Sequence, residues 1–188
     1  MKVINLFGGP NTGKSTTASG LFHLMKIYGY NVELVTEYAK DMTWENRHNI
    51  LSDQLYVLAK QNRRLERLKG KVDYVVADSP LILGLNYTPE NYYNHFESLV
   101  FDVWNSYDNI NFYLKNNGDL TYNEAGRNQD SKQAKKLDEK IYRFLQHHSV
   151  KFTEQLIDAE NKELRSNHVG SIFQSVTGKD FWDELCQN

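Results

Sequence analysis

The 188-residue chain sets 22 Lys and Arg against 24 Asp and Glu, a formal net charge of −2, so it carries no global basic field of the kind that draws nucleic acid or anionic membrane. At 40% hydrophobic content it is large enough to bury a real core, no apolar run reaches the length of a membrane span, and its one cysteine, Cys186, excludes an internal disulfide. With a start, MKVINLF, that lacks a signal-peptide layout, these features point to a cytoplasmic protein folded as one domain over residues 1–188.

Apolar strand-like segments alternate with helical ones, the pattern of βαβ units with a parallel sheet covered on both faces. The first strand is Lys2–Phe7. A helix starts near Lys14 and carries Leu21, Leu24, Met25 and Tyr28 at i, i+3, i+4 and i+7, with Gly29 as its C-terminal cap. A second strand covers Val32–Thr36. A long helical stretch then runs from about Trp44 to Leu68, with Leu51, Leu55, Leu58 and Leu65 as its apolar stripe and Arg63, Arg64, Arg67 and Lys69 at its basic end. Cations at that end also suit the negative pole of the helix dipole, so a solvated cap is the simplest role for those arginines.

The third strand, Tyr74–Ala77, ends in Asp78-Ser79-Pro80. A helix is expected within Glu90–Tyr107 and a fourth strand at Ile110–Leu114. Lys115–Asp130 is polar and rich in turn formers, and reads as a mobile loop. Ser131–His147 is an amphipathic helix with Ala134, Leu137, Ile141, Phe144 and Leu145 on one side. A fifth strand falls within Val150–Leu156, and a last helix over about Glu163–Val176 has Asp158 or Asn161 as its cap.

Residues 8–15 carry the chemistry. Gly8, Gly13, Lys14 and Ser15 stand at the spacing G-x-x-x-x-G-K-S of the phosphate-binding P-loop, between an apolar strand and a helix. Glycines allow positive φ and let backbone N–H groups close on phosphate oxygens, and the helix N-terminus adds partial positive charge at the same point. Gly9, Pro10, Asn11, Thr12, Gly13, Lys14, Ser15 and Thr16 are therefore the expected ATP-binding residues. Lys14 reaches the β and γ phosphates, and Ser15 is a Mg²⁺ ligand.

In a parallel sheet, ligands sit beyond the carboxyl ends of the strands. Strand 2 delivers Glu37 to that rim, strand 3 delivers Asp78, and strand 4 feeds the polar loop containing Arg127. Asp78, after Val75-Val76-Ala77, reads as the acid that serves Mg²⁺; capping the next helix is its competing role. Glu37 reads as the acceptor of a substrate hydroxyl proton, against the alternative of a surface glutamate after an edge strand. Arg127, within a lid over about 115–133, would neutralise charge on the γ-phosphate. Lys132, Lys135 and Lys136 read as a solvated helix face. Tyr38, beside Glu37, and Gln54 and Gln61, seven residues apart on one helical face, are the expected substrate-binding residues beside Glu37; paired amides can read a nucleobase edge. The histidines show no metal-ligand spacing.

At FGGPNTGKST (7–16), VTEYAKD (35–41), DQLYVLAKQNRRLERL (53–68), VVADSPLIL (75–83) and YNEAGRNQDSKQAKKLDEKI (122–141) the chain resembles small P-loop kinases similar to the ribosylnicotinamide kinase domain of bacterial NAD-biosynthesis regulators, many of them carried by bacteriophages. Deoxynucleoside kinases are more distantly similar, with a glutamate after strand 2 that matches Glu37 and a base-reading glutamine that matches Gln54. The resemblance implies an α/β P-loop fold of three layers, a five-stranded parallel sheet of order 2-3-1-4-5, ATP with Mg²⁺, a lid, and an adenine site near Asp158–Asn161. The chain departs from these relatives at Asp78-Ser79-Pro80, where deoxynucleoside kinases have Glu-Arg-Ser, and at Lys40, where related kinases have Arg, a difference that weakens bidentate anion recognition.

Three functions follow in order. The first is an ATP-dependent kinase acting on a hydroxyl of a nucleoside, nucleotide or nucleoside-like cofactor precursor. The second is a phage kinase acting on a hydroxymethylated pyrimidine (5-hydroxymethyluracil) in DNA, in the host cytoplasm, with Tyr38, Trp44, Tyr56, Arg47, Arg63 and Arg64 holding the nucleic acid. The third is an ATPase switch whose only acceptor is water. No membrane partner is expected, and the sequence leaves the oligomeric state open, a homodimer being compatible with it.

Overall fold

A computed structural model describes residues 1–116, 130–158, 161 and 167–179. The strands are β1 (Lys2–Phe7), β2 (Val32–Val35), β3 (Tyr74–Ala77), β4 (Asp108–Asn116) and β5 (Thr153–Ile157). The helices are α1 (Lys14–Ile27), α2 (Tyr38–Trp44), α3 (Gln54–Glu66), α4 (Phe96–Asn105), α5 (Ser131–His147) and α6 (Asn167–Thr177), with 3-10 segments at His48–Ser52 and Leu81–Tyr87.

All four strand pairings are parallel, and the sheet order is β2-β3-β1-β4-β5, as the resemblance implies. Period-2 alternation along β1 divides its side chains between two cores. Val3 and Phe7 face the layer built from α3, α4, α5 and Leu81–Leu83, whereas Ile4 and Leu6 face α1 and α6. Asn5, 1% exposed, is the polar exception, and its amide donates to Asn109 Oδ1 at 2.8 Å and Asn111 Oδ1 at 3.0 Å. Register then sets the site. Val35 on β2 pairs with Ala77 on β3, which pairs with Asn5 on β1. Glu37, Asp78 and the loop after Phe7 therefore leave the sheet at one level on one rim.

The long helix expected over 44–68 is instead a 3-10 turn and the shorter α3, and α2 ends at Trp44, where that helix was expected to begin. Asn46 takes φ 56° after α2, and the Asp53 carboxylate accepts the Tyr56 N–H at 3.1 Å, starting α3 afresh. Leu51 thus leaves the α3 stripe and faces the cleft. The helix expected within Glu90–Tyr107 is confined to α4, and the 3-10 segment Leu81–Tyr87 had no sequence signal. Asp130 and Gln133 form a capping box at the start of α5. Gly29, at φ 76°, follows α1 as expected. Asp158 accepts the Asn161 N–H at 3.0 Å, and α6 begins at Asn167. No helix among the described residues is long and apolar enough to cross a membrane.

Candidate active site

The loop from Gly8 to Gly13 wraps the N-terminus of α1. Gly13 is the N-cap at φ 87°, a left-handed conformation that favours glycine, and α1 has neither a side-chain cap nor an acidic residue in its first turn. The loop is braced from within: buried Thr12 donates through Oγ1 to the Gly9 carbonyl at 2.9 Å. Lys14 lays its ammonium across the same loop, donating to Gly8 O at 2.9 Å and Gly9 O at 2.7 Å. Backbone donors, a helix N-terminus and an ammonium group thus converge on one anion-binding concavity.

Beside it, Ser15 Oγ donates to Asp78 Oδ2 at 2.6 Å, and Lys40 Nζ lies 3.4 Å from the same hydroxyl. Asp78 is 4% exposed, and the cap of the following 3-10 segment is Pro80, with no side-chain hydrogen bond. The helix-capping alternative for Asp78 is therefore not what the chain adopts. A hydroxyl paired with a carboxylate is a set of hard oxygen donors of the kind Mg²⁺ takes, so these residues fit that ion.

Glu37 is the N-cap residue of α2, yet its side chain makes no capping bond. Its carboxyl lies in the cleft. Burial is the largest influence on it and raises its pKa above the ordinary 4.5; Lys14 and Lys40 act to lower it, Asp78 and Asp41 to raise it. Glu37 lines the same cavity as Gly8, Gly13, Lys14 and Ser15, so it belongs to the phosphate loop's cleft and not to open surface.

One cavity of about 450 Å³ joins these groups to a second compartment. At one end lie the loop, Lys14, Ser15, Glu37 and Lys40. The rest is walled by Gln54, Val57, Leu58 and Gln61 of α3, Leu83 and Tyr87 of the 3-10 segment, and Phe96 and Val100 of α4. A smaller concavity of about 260 Å³ opens on the α1–α2 side of Ser15 and Asp78, where Trp44 stands 60% exposed.

The three expected substrate-binding residues besides Glu37 divide. Gln54 is buried on the cavity wall, its Nε2 donating to Leu51 O at 2.7 Å, and Gly84 opposite leaves room for its Oε1. Gln61 also reaches the wall, but its amide is engaged by the protein. Its Oε1 accepts the buried Tyr38 N–H at 2.8 Å, and its Nε2 donates to Thr36 O at 3.2 Å and Ser79 O at 3.4 Å. It clamps the ends of β2 and β3 together. Tyr38 is 9% exposed, packs edge-on against Tyr56 at 6.0 Å, and is not among the cavity-lining residues. Arg64, expected as a solvated cap, donates to the Thr36 carbonyl and hydroxyl at 3.0 and 2.9 Å and pairs with Asp41. Arg127 and most of the expected lid lie outside the described residues, as does Cys186.

Gln61→Leu accordingly strands the buried Tyr38 N–H, and should cost about 1–3 kcal/mol, a thermal-melt shift of several degrees, while leaving ATP affinity unchanged. A normal melting temperature with a raised KM for the acceptor would return Gln61 to substrate reading.

A sequence model described as an AAA domain matches residues 3–161. The chain belongs to that family. No curated protein matches it in sequence. Among solved structures it is similar to NadR in complex with NAD and AMP-PNP, at 16% identity and TM-score 0.68, covering 95% of this chain and 50% of that one. It is also similar to deoxyadenosine kinase from M. mycoides, with products dCMP and dCDP bound (18% identity, TM-score 0.57, covering 95% of this chain and 100% of that one) and with dATP bound (19%, 0.54, covering 94% and 99%). At these identities the likeness establishes a P-loop kinase-like fold.

Proposed function

We propose that the chain is a Mg²⁺- and ATP-dependent phosphotransferase whose acceptor is a hydroxyl of a small nucleoside-like molecule. The observation that carries this reading is the single cavity that runs from the phosphate loop past the Glu37 carboxyl into an apolar and aromatic compartment. Its volume is within the range of small-ligand sites, and away from Lys14, Glu37 and Lys40 its lining offers stacking and van der Waals surface with the Gln54 and Gln61 amides, not charge. A hydrolase that passes phosphate to water has no use for that second compartment, so the ATPase switch is the weaker reading. The fold shared with NadR and deoxyadenosine kinase supports the same choice.

In this reading Lys14 and the loop N–H groups hold the triphosphate. Ser15 and Asp78 are the residues that would hold Mg²⁺, which supplies neutralisation of charge on phosphate oxygens. Glu37 accepts the proton of the acceptor hydroxyl as its oxygen bonds to the γ-phosphorus, and the bond from that phosphorus to the β–γ bridging oxygen breaks to release ADP. Gln54, which lines the cavity, is taken to contact the ring of the acceptor, and Arg127 is carried over as the cation over the γ-phosphate. Residues 1–188 act as one kinase domain.

Incubating the protein with γ-labelled ATP and a panel of nucleosides, nucleotides and ribosylnicotinamide tests the assignment, with labelled product expected from at least one of them. A parallel arm offers single-stranded DNA and 5-hydroxymethyluracil-containing duplex. Label on DNA alone would transfer the activity to the nucleic-acid acceptor, and hydrolysis that no acceptor accelerates would revive the switch.

A further inference from the structure

The Gly9 peptide is held from outside the loop. Its N–H donates to Asp138 Oδ1 of α5 at 2.6 Å, and the same oxygen accepts the Tyr113 hydroxyl of β4 at 2.7 Å. Tyr113, 3% exposed, has its pKa pushed far above 10 by burial and then by Asp138, so it stays a donor. The opposite end of the same residue, Gly9 O, is the acceptor that gathers Lys14 Nζ and Thr12 Oγ1. Asp138 thus stands one residue away from the ammonium group of the phosphate loop.

Packing gives a second, independent sign. A Cβ at Gly9 would meet Asp138 Cβ at 2.6 Å, Asp138 Cα at 3.0 Å and the Ala134 carbonyl at 3.1 Å. Gly9 is not among the positive-φ glycines, so the side chain is absent for proximity to α5, not for backbone freedom. The helix that presses on it is firmly seated. Ile141 and Leu145 are fully buried, and Lys140 donates to Asn86 O at 2.6 Å, joining α5 to the segment that walls the acceptor compartment.

We propose that Asp138 is the positioning residue of the phosphate loop: its carboxylate fixes the Gly9 peptide, and through the Gly9 carbonyl fixes Lys14, in the shape that receives a triphosphate. The proposal rests on the reading of this loop as the triphosphate site, and adds to it a residue beyond the loop motif. A hydrogen bond from a backbone N–H to a carboxylate is one of the stronger kind, and its loss also frees the Gly9 peptide to rotate.

The test is direct titration with ATP, which needs no knowledge of the acceptor, alongside thermal melts. Wild-type protein should bind ATP. Asp138→Ala should weaken that binding by about tenfold or more at a temperature where it is fully folded, and Asp138→Asn, which keeps an oxygen acceptor, should restore it to within about threefold. Gly9→Ala, whose added Cβ would press on Asp138 Cβ and Cα and so push α5 from the loop, should weaken binding to a similar extent, and carries the test if Asp138→Ala does not fold. Lowered melting temperatures with ATP affinity unchanged in Asp138→Ala, or in Gly9→Ala where that variant carries the test, would reduce Asp138 to a packing role and overturn the proposal. Absence of ATP binding in the wild type would overturn the triphosphate reading as well, so the two failures are told apart.

Discussion

Lys14→Ala is expected to abolish phosphoryl transfer, lowering turnover by on the order of 10³ or more. The reasoning starts from charge. Phosphoryl transfer involves little covalent participation by the protein, so catalysis is positioning plus stabilisation of charge on the phosphate oxygens. Lys14 is the ammonium group of the loop itself, held over it by the Gly8 and Gly9 carbonyls at 2.9 and 2.7 Å. Those two contacts keep an otherwise flexible four-carbon side chain at the mouth of the cavity, so little rotamer entropy remains to be lost when phosphate arrives. Its removal takes away the hydrogen bonds to the Gly8 and Gly9 carbonyls, a cost of about 1 kcal/mol, or a few degrees of melting temperature. The measurement is turnover with the best acceptor beside a thermal melt. Collapse of activity with a melt lowered by no more than a few degrees is the expected result; retained turnover would mean that the triphosphate is held elsewhere.

Glu37→Gln is expected to lower turnover by about 10²–10⁴ while sparing ATP binding. The amide is isosteric but cannot take up the acceptor proton. Wild-type Glu37 has a pKa raised above 4.5, with burial the leading cause, and a raised pKa makes the carboxylate a better base near neutrality. The free enzyme binds protons at this group below that raised value, so kcat/KM should fall on the acid side along a limb centred above 4.5, and Glu37→Gln should lack that limb. The sign for stability runs the other way. A carboxyl with a higher pKa when folded favours its neutral form there, so its contribution is fully present below about 4.5 and is lost as pH rises through the folded-state pKa. Above that pH the buried charge is a burden, and Glu37→Gln should melt at or above the wild-type temperature. Near-normal turnover in this variant, or an unchanged acid limb, would remove Glu37 from the chemistry.

The sequence alone determined the phosphate loop, the strand that feeds it and the helix that follows, because each rests on local chemistry: glycine conformational freedom, a period-2 apolar run and a 3.6-residue stripe. It also placed the carboxylates of Glu37 and Asp78 one or two residues beyond the ends of β2 and β3, since strand ends in a parallel sheet share a rim. What it missed depends on contacts between distant segments. The break between α2 and α3 turns on Asn46 at positive φ and on Asp53 winning a cap, a local option that competed with an unbroken leucine stripe. Gln54 and Gln61 look equivalent in sequence, but only the fold puts the Tyr38 N–H and two strand-end carbonyls around Gln61 and so engages its amide. Asp138 lies within the resembling stretch 122–141, but no local pattern there gives it a role. Its contact with Gly9 spans 129 residues and exists only because β4 and α5 stack beside β1, where sterics leave no room for a Cβ.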